Sequence, residues 1–238
     1  MDGPDGTDRQ SRMDGQDRMD GMDGKKGDGD GLLKIDGFPL GPLETNCYVI
    51  ERTDAGACVV IDPGMPAKPL FDRVAHLRVE AILLTHAHFD HIGGVEELRR
   101  RKNCPVYLHE AEWDWLTDPA KSGSSLWPGL GVPAASAPPD YGLVHGQKLA
   151  LIGETFEVFH TPGHSPGSVS FLIGDKLFAG DVLFRQSVGR TDLAGGSFET
   201  LLRSIHDVLF RLPDETVVCP GHGPATTIGF EKRHNPYV

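Results

Sequence analysis

The sequence has 238 residues, with 34 acidic and 23 basic side chains and a formal net charge of -11 at pH 7. This acidic balance argues against a nucleic-acid-binding surface, which normally requires clustered lysine and arginine. No run of about 18 apolar residues occurs and no apolar segment stands near the N-terminus, so we expect neither a membrane span nor a secretory signal.

The first 31 residues differ in composition from the rest of the chain. They contain nine Asp, eight Gly and five Lys or Arg, and they repeat Met-Asp-Gly four times. They have no Val, Ile, Leu or aromatic residue. We therefore predict that residues 1–31 form a disordered Asp/Gly-rich tail, because no apolar burial offsets its ordering entropy. We expect residues 32–238 to form the folded domain and to keep full activity without this tail.

In the first half of the domain, β-rich runs alternate with amphipathic stretches. The predicted strands are 32–38, 46–52, 57–61, 79–84 and 105–108. The predicted helices are 67–78, 94–102 and a short one at 109–117. A connector rich in Pro, Gly, Ser and Ala then extends to about residue 140.

The second half repeats the progression from strands to helix. Its predicted strands are 147–152, 155–160, 168–173, 176–180 and 215–219, with a helix at 198–211. Both halves thus pass from strands to helices, which predicts an α/β protein with two mixed sheets and helices outside them.

A dense group of histidines follows the fourth predicted strand. Residues 86–91 read H-x-H-x-D-H, which places three His and one Asp within six residues. Buried together without a metal, these polar side chains would carry a large desolvation cost. Imidazole nitrogen and carboxylate oxygen suit zinc, iron or manganese. We expect His86 and His88 to reach one ion, while Asp90 and His91 turn toward another.

Three more candidate ligands lie at strand ends or in tight turns of the second half. His164 stands four residues after His160, but the intervening proline and glycine exclude a helix, so only one of the two need bind metal. Asp181 ends the run LFAGD, and His222 lies in the turn CPGHG. Together with residues 86–91 these side chains supply seven ligands, enough for two ions that share one carboxylate.

The ordered set of motifs resembles that of the metallo-β-lactamase superfamily over essentially all of residues 32–238. The resemblance implies a four-layer αββα sandwich with its site at the seam between the two halves. It also implies that Asp62, after an early strand, supports the motif loop rather than binding metal. The implied cofactor is a pair of divalent ions, zinc foremost and iron or manganese as alternatives. The implied ligands are His86, His88 and His164 for one ion, Asp90, His91 and His222 for the other, and Asp181 between them.

Three parts of the chain resemble the short glyoxalase II-type hydrolases: 45–48 (TNCY), 189–192 (GRTD) and the C-terminal end from 220–227 (PGHGPATT) through 235–237 (NPY). Those enzymes hydrolyse S-(2-hydroxyacyl)glutathione, so the resemblance implies attack of a metal-bridging hydroxide, held by Asp90, on a small-molecule thioester. Arg190 and Asn235 are the candidate substrate contacts. Longer glyoxalase II enzymes have Lys and Tyr where this chain has Arg190 and Asp192.

Other activities that occur in the same superfamily are alternatives to thioester hydrolysis. A persulfide dioxygenase, which the chain also resembles in the Gly-Arg-Thr-Asp segment, would use a single iron at His86, His88 and His164, although the Pro-Gly-His-Gly-Pro end favours the hydrolase. Related lactonases carry a tyrosine where this chain has Phe184, which counts against a lactone substrate. Common zinc β-lactamases carry a cysteine near the position of Asp181, which counts against a β-lactam substrate. A non-catalytic metal-binding scaffold is disfavoured by the complete ligand set.

Cysteine usage bears on location. The four cysteines are far apart in the sequence and form no C-x-x-C pair. This pattern favours buried thiols over a disulfide framework, so we expect a reducing, cytoplasmic location.

Overall fold

The structure is a computed structural model that describes residues 32–130 and 137–238. The predicted tail, residues 1–31, and residues 131–136 of the connector lie outside these ranges. The described residues form two six-stranded mixed sheets and a two-stranded ribbon.

The first half of the chain forms the first sheet, whose strands lie side by side in chain order. The strands are β1 (Leu33–Leu40), β2 (Thr45–Arg52), β3 (Ala57–Ile61), β4 (Arg78–Leu83), β5 (Val106–His109) and β6 (Tyr141–Leu143). The pairs β1–β2 and β2–β3 are antiparallel, whereas β3 through β6 are parallel. Parallel pairing sends the C-terminal ends of β3 and β4 to the same edge.

The second half forms the second sheet, in the order β14-β13-β10-β9-β8-β7. The strands are β7 (Lys148–Leu151), β8 (Glu154–His160), β9 (Val169–Ile173), β10 (Lys176–Gly180), β13 (Val217–Pro220) and β14 (Thr226–Thr227). The ribbon between β10 and β13 consists of β11 (Leu183–Phe184) and β12 (Ser187–Val188). Because β10 and β13 are parallel, their C-terminal ends also meet at one edge.

Five α-helices occur in the described chain: α1 (Lys68–Val74), α2 (Phe89–Ile92), α3 (Val95–Lys102), α4 (Phe198–Arg203) and α5 (Ile228–His234). Helix α1 is shorter than the predicted 67–78 because the chain enters β4 at Arg78 and pairs with β3. Helix α4 continues through a π turn and a 3-10 turn to Arg211, in agreement with the predicted 198–211. No helix of the described ranges is both long and apolar enough to cross a membrane.

Alternate residues of the buried strands pack into different cores, and this alternation produces the layers. In β2, Ile50 packs between the sheets with Phe171 of the second sheet, whereas Val49 packs into the core that includes residues of α1 and α3. In β10, Phe178 faces the intersheet core and Leu177 faces the core that includes residues of α4 and α5. The predicted αββα sandwich is therefore confirmed.

Backbone hydrogen bonds join the two sheets at the edge where the candidate ligands lie. The Asn46 N–H donates to the Gly221 carbonyl at 2.7 Å, and the Val169 N–H donates to the Thr85 carbonyl at 2.8 Å. Each bond connects a residue of the first half with one of the second. The fold thereby fixes loops from both halves against each other.

Candidate metal centre

Three buried histidines converge on one point at this edge. His164 Nε2 lies 2.8 Å from His88 Nδ1 and 3.2 Å from His86 Nε2. All three rings are buried, and their ligand atoms lie within 4.8 Å of one another. We call this set the first trio; its three nitrogens can surround a single cation.

A second trio combines one carboxylate with two histidines. His222 Nε2 lies 3.2 Å from Asp90 Oδ2, and His91 Nε2 lies 3.6 Å from the same oxygen. The short helix α2 produces this arrangement, because its turn carries Asp90 and His91 away from the extended segment that ends at His88. The two pairs of ligands therefore separate within six residues, as the motif predicts.

The Asp181 carboxylate lies between the two trios. Its Oδ2 is 3.7 Å from His164 Nε2 and 3.5 Å from His222 Nε2, and its Oδ1 is 3.3 Å from His91 Nε2. One carboxylate thus faces ligands of both trios. This is the position that a bridging ligand requires.

Unpartnered atoms in the cluster show that its donors fit a cation. His91 Nε2 and Asp181 Oδ1 are buried and 3.3 Å apart, and neither has a hydrogen bond of good geometry within the described residues. Buried polar atoms nearly always have one. The turn that carries His222 approaches closely: a Cβ on Gly221 would overlap Asp181 Oδ1 and lie 2.8 Å from His91 Cε1. The donor set of imidazole nitrogens and carboxylate oxygens suits a divalent transition metal.

The two trios differ in protonation. Burial lowers the pKa of His86 and His164, and it lowers the pKa of His88 to about 3. Neighbouring imidazoles reinforce the shift at His86. The first trio is therefore neutral and offers lone pairs to a metal.

The second trio behaves as an ion-paired cluster. Burial lowers the pKa of His91, but the charges of Asp181, Asp90 and Asp62 outweigh it and raise that pKa well above its usual value. At His222, hydrogen bonds to Asp181 and Asp90 likewise outweigh burial and raise the pKa to about 9. A cation that binds there must displace these protons, so metal binding is linked to proton release.

Asp62 and Thr85 orient ligands of both trios. His91 Nδ1 donates to Asp62 Oδ2 at 2.9 Å, which leaves Nε2 for a metal. The Thr85 hydroxyl donates to the same oxygen at 2.6 Å, and His86 Nδ1 lies 3.0 Å from that hydroxyl. The structure thus places Asp62 behind the ligands, where its predicted supporting role would put it.

Main-chain carbonyls orient His164 and His222, which also present Nε2 to the centre. His164 Nδ1 donates to the Arg190 carbonyl at 2.7 Å, and His222 Nδ1 donates to the Leu43 carbonyl at 3.0 Å. In each ring the bonded nitrogen fixes the tautomer and directs Nε2 toward the centre. The Gly-Arg-Thr-Asp segment therefore contributes to the centre through its backbone.

The segment 45–48 holds the second trio from the first sheet. The Thr45 hydroxyl donates to Asp90 Oδ2 at 2.8 Å. The Asn46 amide and the Tyr48 hydroxyl both donate to the Pro220 carbonyl, at 3.0 and 2.7 Å. This segment therefore fixes both a ligand and the turn that carries His222.

Glu112 is a supporting residue that sequence reasoning missed. Its side chain is fully buried, and its carboxylate accepts hydrogen bonds from the Ala87 N–H at 2.6 Å and the Gly167 N–H at 2.7 Å. Those amides belong to the two loops that carry the first trio. The sequence signal that could have indicated Glu112 is its position three and four residues before the apolar Trp115 and Leu116. In a helical turn this spacing places the carboxylate on the buried face.

A cleft of about 450 Å³ lies over the centre, lined by Asp90, Asp181 and ligand histidines. Arg190 also lines it, but its guanidinium donates two hydrogen bonds, at 2.7 and 2.8 Å, to Asp192. The described part of the connector contributes Trp127 to the cleft wall.

Asn235 does not line the cleft. It is buried, and its amide donates to the Ser187 carbonyl at 3.0 Å and to Glu231 Oε2 at 2.9 Å. Its oxygen accepts the Tyr237 N–H at 3.0 Å. The expected substrate contact is therefore corrected to a packing role at the end of α5.

Comparison of the sequence with models of known protein families identifies its family. The model of the metallo-beta-lactamase superfamily matches residues 40–222. The chain belongs to this superfamily. The predicted family is thus confirmed. The cluster is the His/Asp metal-binding site of this fold, and membership of the superfamily supports a metal-dependent hydrolase.

Two curated members of the superfamily cover most of the chain. YqgX of Bacillus subtilis, described as a probable metallo-hydrolase, is 44% identical over 206 residues, which span 84% of this chain and 95% of the relative. The hydroxyacylglutathione hydrolase GloC of Haemophilus influenzae is 35% identical over 210 residues, 87% of this chain and 98% of the relative.

Solved structures of superfamily members superpose over the same region. BLEG-1, a B3 metallo-β-lactamase, has a TM-score of 0.81 and 49% identity, with 85% of this chain and 98% of that chain covered. TTHA1623 in a di-iron-bound form has a TM-score of 0.74 and 43% identity, covering 85% and 100%. ETHE1 from Myxococcus xanthus has a TM-score of 0.68 and 30% identity, covering 85% and 83%.

Replacing Asp181 tests the shared ligand. We expect Asp181→Ala to lose metal from both trios and to reduce hydrolysis more than ~100-fold, because ligand and supporting groups of metal sites act together. The number of metal ions per chain and the rate of hydrolysis are measured on the same preparation. Asp175→Ala, which removes an exposed carboxylate, is the matched control. Full metal content and activity in Asp181→Ala would contradict the bridging position.

Replacing Glu112 tests the connection between the ligand loops. Glu112→Ala leaves two buried N–H groups without acceptors, and each costs about 1–3 kcal/mol. We expect a lower free energy of unfolding in urea and a metal affinity reduced about 10–100-fold, measured by chelator competition. Glu112→Gln keeps one acceptor oxygen and should lose less, while the exposed Glu110→Ala should change neither. Unchanged metal affinity in Glu112→Ala would refute the assigned role.

Proposed function

We propose that the protein hydrolyses small thioesters with two bound divalent ions, and that S-(2-hydroxyacyl)glutathione is its substrate. The observation that carries the proposal is the Asp181 carboxylate, which faces ligands of both trios. The similarity to GloC, a hydroxyacylglutathione hydrolase, supports the substrate. Zinc is the proposed metal; iron and manganese are the alternatives, and TTHA1623 was solved with two irons.

Residues of the chain would bind and orient the reactants. When bound, the two ions would supply Lewis acidity and a water of lowered pKa. Asp90 lines the cleft; burial raises its pKa, but the charge of His91 and the hydrogen bond with His222 outweigh burial and hold it at about 2. Its carboxylate is therefore ionised at neutral pH and orients the attacking water as a hydrogen-bond acceptor, with Thr45 fixing the position of Oδ2.

A thioester suits this site because of its leaving group. A thiol of pKa about 8.5 leaves as a thiolate without a strong general acid. A lactone needs more help at the leaving oxygen, and Phe184, which lines the cleft, has no hydroxyl to provide it. We also propose a cytoplasmic protein that acts on a small molecule, without a nucleic-acid or membrane partner.

Two rival activities each have one observation in their favour. The first rival, a persulfide dioxygenase that would use one iron in the first trio, is favoured by the Gly-Arg-Thr-Asp segment, which resembles that of such enzymes. The second rival, β-lactam hydrolysis, is favoured by the similarity to BLEG-1, a B3 metallo-β-lactamase. Both activities enter the test as separate arms.

The test combines metal analysis with three assays on one preparation. The assays follow thiol release from S-lactoylglutathione, oxygen uptake with glutathione persulfide, and ring opening of a penicillin. We expect two ions per chain with thiol release as the fastest reaction. One iron per chain with oxygen uptake and no thiol release would overturn the proposal, as would β-lactam turnover without thioester turnover.

Asp192 offers a test of the glutathione contact. Asp192→Asn removes the partner charge that holds the Arg190 guanidinium, so we expect the KM for S-lactoylglutathione to fall about threefold with kcat unchanged. Arg190→Ala should raise KM, and added salt should reduce both effects because the pair is exposed. Arg203→Ala on α4 serves as the exposed-arginine control. Identical KM values in all variants would remove Arg190 from substrate binding.

A further inference from the structure

Large apolar side chains are exposed where the cleft opens. Leu126 is 63% exposed, Trp127 is 48% exposed and Leu43 is 44% exposed. All three line the cleft over the metal centre. Exposed apolar groups gathered at one concave site indicate a ligand with an apolar surface. We call these three residues the apolar wall.

The backbone ties most of the apolar wall to the metal centre. The Leu126 N–H donates to the Gly123 carbonyl at 3.0 Å, and the Trp127 N–H donates to the Ser124 carbonyl at 3.2 Å. The Phe89 N–H, at the start of α2, donates to the Ser122 carbonyl at 3.0 Å. The segment with Leu126 and Trp127 is thus fixed to the helix that carries Asp90 and His91.

Charge along the cleft favours the same kind of ligand. Among the described residues that line it, Arg190 is the one lysine or arginine, and Asp192 neutralises it through two hydrogen bonds. The carboxylates of Asp90 and Asp181 face the centre, where cations would bind. The walls therefore offer apolar surface and little unbalanced positive charge to the part of a substrate that extends away from the metal.

We propose that the natural thioester carries an apolar group larger than the methyl of a lactoyl group, and that this group packs against the apolar wall. The proposal rests on the proposed thioesterase activity and specifies its substrate class. The group is either the acyl chain or the apolar part of the thiol, since the wall recognises the same chemistry in both. Each methylene placed on such a wall raises kcat/KM roughly threefold, up to the length of the wall.

Two substrate series separate these sources. The first varies the acyl chain of S-acylglutathiones from acetyl through butyryl to hexanoyl. The second keeps the lactoyl group and varies an alkyl thiol from ethanethiol through butanethiol to hexanethiol, so that the leaving-group pKa is constant. We expect kcat/KM to rise at least tenfold across one series, which identifies the half of the substrate that contacts the wall.

Substitutions in the apolar wall test whether it causes the dependence of kcat/KM on chain length. Leu126→Ala and Trp127→Ala should reduce the ratio of kcat/KM for the longest and shortest substrates. The matched controls Leu33→Ala and Trp113→Ala alter exposed residues outside the cleft and should keep the wild-type ratio. Flat or falling kcat/KM in both series, or an unchanged ratio in both wall variants, would overturn the inference while thiol release itself upholds the thioesterase. Failure to release thiol from every substrate would instead contradict the thioesterase.

Discussion

Six ionisable ligand side chains from the two halves of the chain lie around the Asp181 carboxylate, and the chain can bury all seven together only if their charges are balanced. Around the second trio, the carboxylates of Asp181, Asp90 and Asp62 stabilise the protonated ring of His91, and Asp181 and Asp90 do the same for His222. In the first trio, burial keeps the imidazoles neutral. A cation would complete a balance that the free side chains reach only partly, as the unpartnered atoms of His91 and Asp181 indicate.

This constraint explains why so much of the surrounding hydrogen bonding crosses between the sheets. Glu112 holds the loop of the first sheet that carries His86 and His88 against the loop of the second that carries His164. Asn46 makes the corresponding connection to the turn of His222. The intersheet core alone would align the sheets, but apolar packing is non-directional. The directional bonds supply the accuracy of position that ligand atoms need.

The ligand side chains were predictable because each stands in a compact motif at a strand end, where residue type and spacing point to one chemistry. The supporting roles of Thr85 and Glu112 were not predictable, because Thr85 meets Asp62 only when β3 and β4 pair, and Glu112 meets Gly167 only when the two halves meet. Asn235 was assigned a substrate contact from the resemblance of the C-terminal end to glyoxalase II-type hydrolases, and its actual partners, Ser187 and Glu231, become apparent only in the folded chain. The shortest strands, β6, β11, β12 and β14, were missed because two or three residues show no alternation.

Because the second half of the chain supplies His164, Asp181 and His222 and the first half supplies the other four ligands, bound metal acts as a cross-link between distant parts of the sequence. Metal that binds only the folded chain raises the free energy of unfolding by mass action. Each tenfold rise in free metal above the dissociation constant adds about 1.4 kcal/mol per ion. The supply of free metal would therefore set the equilibrium stability of the fold as well as the fraction of chains that carry their ions.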